Sequence, residues 1–264
     1  MQMARNPKPR ARPTITLTTD FGLSDSYVAA MKAAILKQSP DAVLIDVTHE
    51  VPPQDILAGS ISIERAVAGF GPGTVHLGVV DPGVGSHRKI LIVEIARQWV
   101  VCPDNGLITW TWRRLGPGKA FKLTWRPRHF SDTFHGRDIM APAAGMLTVG
   151  RKLSDLAVRV SKIELLDIAP VSAGAKLGQI IHIDHFGNAT TNIPRESLAG
   201  AHPRFRLGRK SIGMLKRIYL DVAPGEPLAL IGSQGLVEIA VRDGSAEKVL
   251  GIRVGDAVYV ELGR

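Results

Sequence analysis

Four short stretches of this sequence gather residue types that do chemistry. Thr18-Thr19-Asp20-Phe21-Gly22 ends a β-like run on an aspartate. A carboxylate at a strand's carboxyl end can accept both hydroxyls of a sugar diol, and it can equally cap the following helix. Asp81-Pro82-Gly83-Val84-Gly85-Ser86-His87-Arg88 sets an acid and a guanidinium seven residues apart, and its two glycines permit close backbone approach to a ligand. The same spacing also describes a surface ion pair across a turn, which is nearly neutral in energy. Phe134-His135-Gly136-Arg137-Asp138 places a histidine just ahead of a helix whose first turn carries an acid, favourable at the positive end of the dipole. His135 there could be an acid/base, a neutral hydrogen-bond donor or a packed turn residue. Finally, Asp184-His185-Phe186-Gly187-Asn188-Ala189-Thr190-Thr191-Asn192 has the parts to recognise a planar nitrogenous ring: an aromatic to stack, amides to pair with its edge, and a carboxylate to accept from an amine. The bland account is a turn rich in turn-forming residues.

Several familiar sites are excluded. The 81–88 loop lacks the Gly-x-x-x-x-Gly-Lys-Ser/Thr order of a phosphate loop and runs into a strand; it also lacks the third glycine of a dinucleotide fingerprint. Gly232-Ser233-Gln234-Gly235 does not have the spacing of a nucleophile elbow. The eight histidines include no His-Glu-x-x-His, and His182, Asp184 and His185 are too few for a metal centre.

The elements that must hold these residues alternate. Strand signals at 14–19, 42–47 and 75–80 are separated by helical periodicity over 27–37, which Ser24 or Asp25 could cap, and over 55–68. Strands alternating with helices argue for a largely parallel sheet covered on both faces, with the 81–88 loop at a strand's carboxyl end, where such folds place ligands. Strands at 90–95 and 98–101 follow, then an Asn-Gly turn at 105–106, and a helix over 138–149 closes an α/β domain of residues 14–167. Residues 168–177 read as a flexible linker. Short β-type runs from 178 to 264, at 178–184, 218–222, 228–231, 237–241 and 257–261, with one short helix at 245–250, suggest a small β-barrel or sandwich.

Of 264 residues, 33 are basic and 24 acidic, a formal charge of +9. Sixteen of the bases fall in three segments without an acid, 1–12, 113–128 and 204–217, so the remainder is net acidic and no uniform nucleic-acid-binding face exists. Trp110, Trp112 and Trp125 beside the middle segment offer the best case for single-stranded nucleic acid, although a solvated, partly packed hairpin accounts for them too. The proline-rich 1–13 reads as a disordered basic arm without the apolar stretch of a secretory signal, so a cytoplasmic location is expected. The single cysteine, Cys102, fits a reducing compartment and reads as a buried, inert thiol. No run approaches the length of a membrane helix.

Six ordered motifs carry a resemblance. Thr18-Thr19-Asp20-Phe21-Gly22, Asp46-Val47-Thr48-His49, Val80-Asp81-Pro82-Gly83-Val84-Gly85, Pro103-Asp104-Asn105-Gly106, Phe134-His135-Gly136-Arg137-Asp138 and Asp184-x-Phe186-Gly187-Asn188-x-x-Thr191-Asn192 resemble the S-adenosylmethionine hydroxide adenosyltransferases, relatives of the S-adenosylmethionine chlorinase and fluorinase. The resemblance covers about residues 14–262. It implies an α/β domain followed by a β-barrel domain, a homotrimer, and S-adenosylmethionine bound between one subunit's N-terminal domain and its neighbour's C-terminal domain. It further implies cleavage of that substrate to adenosine and L-methionine, with no metal or additional cofactor.

The family's Asp, Arg and His set falls on Asp81, Arg88 and His135, its ribose-binding aspartate on Asp20, and its C-terminal ligand motif on Asp184, Phe186 and Asn188. Ser233 matches a contact to the methionine end, and Gly244-Ser245-Ala246 a segment approaching the adenine. Gln54 and Gln234 stand where the halogenases carry Trp and Arg, so those contacts do not transfer. A carboxylate at Asp81, where the halogenases carry Tyr, would repel a halide. The implied mechanism is displacement of methionine at the 5′ carbon by water or hydroxide. Arg88 would favour the deprotonated nucleophile, Asp81 would orient Arg88 and His135, and His135 would accept or relay the proton. Three other readings stand beside it: a halogenase, a nucleic-acid-binding module, and a sensor that binds S-adenosylmethionine or adenosine without turnover.

Overall fold

A computed structural model describes residues 12–198 and 202–262, so the arm expected at 1–13 lies almost wholly outside the described residues. The chain forms two compact units, the first ending at Leu166 and the second beginning at Asp167.

The first unit is a seven-stranded sheet: β1 (Thr14–Thr19), β2 (Val43–Thr48), β3 (Val75–Val79), β4 (Ile90–Ile95), β5 (Gln98–Pro103), β6 (Lys119–Leu123) and β7 (Ala157–Val160), in the order β2-β1-β3-β5-β4-β6-β7. The first four in that order run parallel, and β4, β6 and β7 alternate in direction. Helices α1 (Tyr27–Gln38) and α4 (Ala141–Thr148) cover one face; α2 (Ile56–Gly69) and α3 (Thr109–Arg114) cover the other; α5 (Leu153–Leu156) leads into β7. The period-two alternation of strand side chains serves both layers. Ile90 and Ile92 pack with Met31, Ile35 and Ala143, whereas Leu91 and Val93 pack with Ile63, Val67 and Ile108. Each such fully buried side chain contributes about 1.5–3 kcal/mol. Cys102 lies fully buried on β5, and burial pushes its thiol pKa up.

This core fixes one edge that matters. β1 and β3 pair in parallel with Thr19 opposite Val79, so Asp20 and Asp81 leave the sheet at the same carboxyl edge. Asp55 caps α2 by accepting from Ala58 N at 2.9 Å. At α1 neither Ser24 nor Asp25 is the cap; Ser26 stands at that position without a side-chain bond.

The second unit is a closed barrel of β8 (Leu177–Ile183), β9 (Ala189–Pro194), β10 (Pro203–Leu207), β11 (Lys210–Lys216), β12 (Pro227–Ile231), β13 (Leu236–Val241) and β14 (Ala257–Leu262), in the order β10-β11-β12-β13-β9-β8-β14, with α6 (Ala246–Leu250) beside it. Ile180, Phe205, Ile239 and Val258 fill its interior. The segment 168–177 is not a loose connector: Val171 N donates to Asn192 O at 2.9 Å, Asn192 Nδ2 to Ala169 O at 2.9 Å, and Gly174 N to Ser197 O at 3.2 Å.

Three expectations need correction. The basic segment 113–128 is not a solvated hairpin; it is the end of α3 followed by β6, a strand paired on both sides. Trp110 is wholly buried and Trp125 is half-buried against the core, so the tryptophans do not form an open stacking surface. Residues 218–222 hold a single 3₁₀ turn, Tyr219–Asp221, in place of a strand, because Asp221 Oδ2 accepts from both Arg217 N and Ile218 N and closes the chain on itself. Before α4 the chain makes a π-helical turn, Gly136–Met140, where sequence periodicity suggests one continuous helix. Among the described residues no helix is long and apolar enough to cross a membrane, and no group of three His, Cys, Asp or Glu residues is placed to hold a metal ion.

Several cations of the middle and last basic segments are engaged. Arg114 pairs with Glu64 at 3.3 Å, Lys119 with Glu94 at 3.0 Å and Arg206 with Glu261 at 3.4 Å, and Lys210 donates to Leu250 O at 2.6 Å. Glu64 is almost wholly buried, and burial raises its pKa against the opposing pull of Arg114. An Arg114→Met variant removes the ion-pair partner and leaves Arg65 as the opposing cation, at a cost on the order of 3 kcal/mol. With the folded pKa raised further above its unfolded value, the loss of stability grows as pH rises through that window. Thermal melts at pH 5 and pH 8 check this, with the larger deficit expected at pH 8.

Candidate functional site

The carboxyl edge of β1 and β3 opens into a cleft of about 370 Å³ lined by Asp20, Phe21, Tyr27, Gln54, Asp81 and His135, together with Val79, Pro82, Val84, Thr133, Phe134 and Gly136. Behind its wall, Arg88 grips Asp81 in bidentate fashion through Nε and Nη2. The two side chains are 9% and 5% exposed, so this is a buried ion pair and not the surface pair that the spacing also allowed. Arg88 Nη2 lies 3.4 Å from His135 Nδ1. A guanidinium can only donate, so Nδ1 is the acceptor and the imidazole proton sits on Nε2. That Nε2 is buried with no hydrogen-bond partner among the described residues. Burial, then the Arg88 and Arg126 charges, hold the His135 pKa below its ordinary value against the opposing Asp81, so His135 is neutral at physiological pH.

Other loops hold this cluster in place. Gly85, at φ +80°, has Asp132 O 2.7 Å from where a Cβ would sit, so the 81–88 loop closes on the 131–135 loop only with glycine there. Asn105 Nδ2 donates to Val80 O at 2.9 Å, bracing the residue before Asp81, and Asp104 accepts from Lys89 Nζ at 2.9 Å and Glu164 N at 2.7 Å. Asp138 Oδ2 accepts from Ser131 N at 2.8 Å and tethers the loop that carries His135. These contacts give the Pro-Asp-Asn-Gly and His-Gly-Arg-Asp motifs a structural meaning.

Asp20 uses Oδ2 to accept from Gln54 N at 2.9 Å, leaving Oδ1 outside that bond. Gln54 sits at φ +66°, a left-handed conformation costing a non-glycine residue about 1–2 kcal/mol. Beneath this loop, Thr19 Oγ1 meets His49 Nδ1 at 2.8 Å, His49 Nε2 lies 3.0 Å from Asp46 Oδ1, and Gly22 N donates to His49 O at 2.8 Å. The Asp46-Val47-Thr48-His49 motif therefore supports the Asp20 loop from below.

The remaining sequence candidates lie in the barrel unit. Asp184 Oδ1 accepts from Phe186 N and Asn188 N, both at 2.9 Å, so this carboxylate shapes its own turn. The turn presents Phe186, which is 73% exposed. Glu247 N donates to Gly187 O at 2.9 Å, joining this turn to the start of α6, where Ser245 caps the helix. Ala246 faces the barrel core, so it can offer a ligand only its backbone. Ser233 stands exposed on the turn between β12 and β13. Neighbouring Gly232 lies against Glu238, which accepts from Tyr219 OH at 2.6 Å. Burial, the bond to Glu238 and the nearby Asp184 together push the Tyr219 pKa up.

Sequence reasoning missed three features. Phe21, Tyr27 and Phe134 form a ring cluster on the cleft wall, with centroids 5.4–6.0 Å apart and all three pairs edge to face. Two of these residues sat inside quoted motifs, but only the fold brings the third beside them. Arg126, counted with the surface cations, is exposed yet donates to Leu123 O and Trp125 O at 3.0 and 2.8 Å, and has its pKa lowered by desolvation and by Arg88. Gln54, with its strained backbone, had no local signal, since left-handed geometry is read from glycine or asparagine.

Comparisons with known proteins agree on one family. The model described as SAM hydroxide adenosyltransferase N-terminal domain matches residues 15–157, and that of the C-terminal domain matches residues 178–259. The chain is 38% identical over 259 residues to a protein of Salinispora tropica named (R)-S-adenosyl-L-methionine hydrolase, covering 95% of this chain and 98% of that one. It is more distant, at 27% identity over 302 residues, from the fluorinase of Nocardia brasiliensis, covering 96% and 98%. A crystal structure of a conserved protein from Thermotoga maritima superposes with a TM-score of 0.87 at 36% identity, covering 94% of this chain and all of that one.

The close approach at Gly85 can be tested directly. A Gly85→Ala variant must place a methyl 2.7 Å from the Asp132 carbonyl at an unfavourable positive φ, a cost of about 1–3 kcal/mol. Thermal melting should register it as a fall of several degrees, at about 2–4 °C per kcal/mol for a chain of this size.

Proposed function

The chain belongs to the SAM hydroxide adenosyltransferase family, and from that premise we propose that it hydrolyses S-adenosyl-L-methionine to adenosine and L-methionine. The observation that carries the reading is the buried Asp81–Arg88 pair with neutral His135 on one cleft, at the positions where the family's motifs fall. The substrate form is the R configuration at sulfur, which the name of the Salinispora relative specifies.

In this reading water attacks the 5′ carbon in line with the C–S bond. The C–O bond forms, the C–S pair of electrons returns to sulfur, and the sulfonium leaves as the neutral thioether of methionine while water loses one proton. Sulfonium is already a good leaving group, so neither metal nor cofactor is needed. Asp81 and His135 line the cleft and Arg88 does not, which supports a division of labour different from the one the resemblance implies. His135 Nδ1 is occupied by Arg88, so His135 acts as a donor: its Nε2–H holds the attacking oxygen. Each Asp81 oxygen keeps a second lone pair beyond Arg88, and one accepts the water proton as negative charge develops on oxygen. Arg88 acts through both neighbours, fixing the carboxylate's orientation and the imidazole's tautomer. Asp20 Oδ1 is suited to the ribose hydroxyls.

Asp184, Phe186, Asn188, Ser233, Ser245 and Ala246 form the barrel's share of the substrate site, contributed by a neighbouring subunit of a homotrimer; the exposure of Phe186 supports a surface that is covered in the working state. The enzyme works in the cytoplasm, where its substrate is made. Nucleic acid has little support, because several cations of the basic segments are already paired.

Two experiments test the reading. Reaction in heavy-oxygen water should place label in adenosine, and Asp81→Asn should lower kcat by at least about 100-fold; unlabelled adenosine, or a chlorinated nucleoside formed in the presence of chloride, overturns it. The pH profile gives a second check. His135 is active as the neutral base form with its pKa held below 6.5, so the rate stays flat through neutrality and falls only at lower pH. Replacing Arg88 with Gln removes a cation that depresses this pKa, so the residual activity should lose its acid limb at a higher pH than wild type.

A further inference from the structure

We propose that Phe21, Tyr27 and Phe134 form an aromatic wall that recognises the positive charge of the sulfonium and thereby sets the preference for charged substrate over neutral thioether. The inference rests on S-adenosylmethionine being the substrate and deepens that reading by assigning residues to its charge.

The three rings line the same cleft as Asp81 and His135. Their centroids stand 6.0 Å (Phe21 to Tyr27), 5.8 Å (Phe21 to Phe134) and 5.4 Å (Tyr27 to Phe134) apart, at interplanar angles of 63°, 76° and 89°. Rings meeting edge to face cannot stack as a slab; they make the walls of a corner, in which a ring that turns its face inward offers negative π density. One of the three rings already takes a cation on a face: the Arg137 guanidinium, which does not line the cleft, lies 4.8 Å from the Phe134 centroid. Asp138 neutralises that guanidinium through a bidentate pair, so Arg137 does not repel a second cation there.

The chemistry of the reaction gives such a wall a purpose. A sulfonium is weakly hydrated and cannot donate a hydrogen bond, so neither an amide nor a hydroxyl recognises it well, whereas aromatic faces do. Carboxylates alone would bind it, but a full negative charge added near the nucleophile's path would oppose the approach of hydroxide-like oxygen. The positive charge disappears as the C–S bond breaks. The wall therefore holds substrate more tightly than product, which favours release of methionine and places its effect in KM more than in kcat.

The test uses two ligands without a leaving sulfonium: S-adenosylhomocysteine, a neutral thioether, and the analogue with a protonated tertiary amine in place of sulfur. Calorimetric titration of wild type should show tighter binding of the charged analogue. Tyr27→Leu and Phe134→Leu should each cut that preference by about 3–10-fold, mainly by weakening the charged ligand. Tyr27→Phe should restore it, which also controls for loss of folding. With S-adenosylmethionine the Leu variants should raise KM by a similar factor and change kcat less. Equal weakening of both ligands, or an unchanged ratio, overturns the wall and leaves hydrolysis standing; a wild-type protein that binds neither ligand overturns the substrate reading together with it.

Discussion

The buried pair of Asp81 and Arg88 is the constraint around which the first unit is arranged. Removing two charges from water costs several kcal/mol per ion, and the pair recovers that only in near-ideal geometry. Here the geometry is bidentate and the loop between the partners is built from residues that turn sharply, Pro82, Gly83 and Gly85. The loop is not held by its own sequence. It is pressed against Asp132 at Gly85, and the backbone before Asp81 is bonded to Asn105. A motif from the end of β5 and a loop before α4 therefore share the task of keeping one ion pair dry, and that is a physical reason for three separated motifs to occur together.

What surrounds the pair follows from its presence. Arg88 extends a donor to His135, which forces one tautomer, and burial together with the Arg88 charge keeps the ring neutral. On the adjacent strand, Asp20 is positioned by a polar network running from Thr19 through His49 to Asp46, and Lys32 bonds Asp46 at 2.6 Å. The Asp20 carboxylate in turn holds Gln54 in a left-handed backbone conformation that the residue would not choose. Strain of this kind persists where surrounding bonds over-determine it, and here it sits at the rim of the cleft. The rigid sheet below makes it affordable, since β1 and β3 are buried strands in fixed parallel register.

Much of this was legible in the sequence because the relevant signals were local. Strand, turn and helix alternate with clear periodicity up to Val80, and Asp20 and Asp81 fall at strand ends as such folds require. The misreadings have local causes too. The 113–128 segment shows many cations and three tryptophans nearby, and no short-range pattern reveals that Glu64 and Glu94, dozens of residues earlier, meet Arg114 and Lys119. In the barrel, β9 reads as a polar knot because Thr190, Thr191 and Asn192 are buried; Thr191 Oγ1 bonds Val237 O and Asn192 Oδ1 accepts from Gln179 N, each at 2.8 Å. Buried side chains that satisfy backbone groups look the same in sequence as side chains awaiting a ligand. Asp184, half-buried, shapes its own turn through its hydrogen bonds.

The charges of the site suit the proposed reaction in a way that a list of residues does not convey. A hydroxide-like nucleophile and a sulfonium cancel one another as they react, so a medium of low polarity favours the transition state over the separated charges. The cleft meets this condition: Asp81 and Arg88 neutralise each other, His135 is uncharged, and three aromatic rings line one wall. Apart from the Asp20 carboxylate, which is suited to the ribose hydroxyls, polar groups remain as dipoles and as a compensated pair. A free arginine beside the reacting atoms would repel the substrate, and a free aspartate beside them would oppose the nucleophile. Pairing the two, with Asp81 on the cleft and Arg88 behind its wall, keeps their orienting power while removing most of their net field.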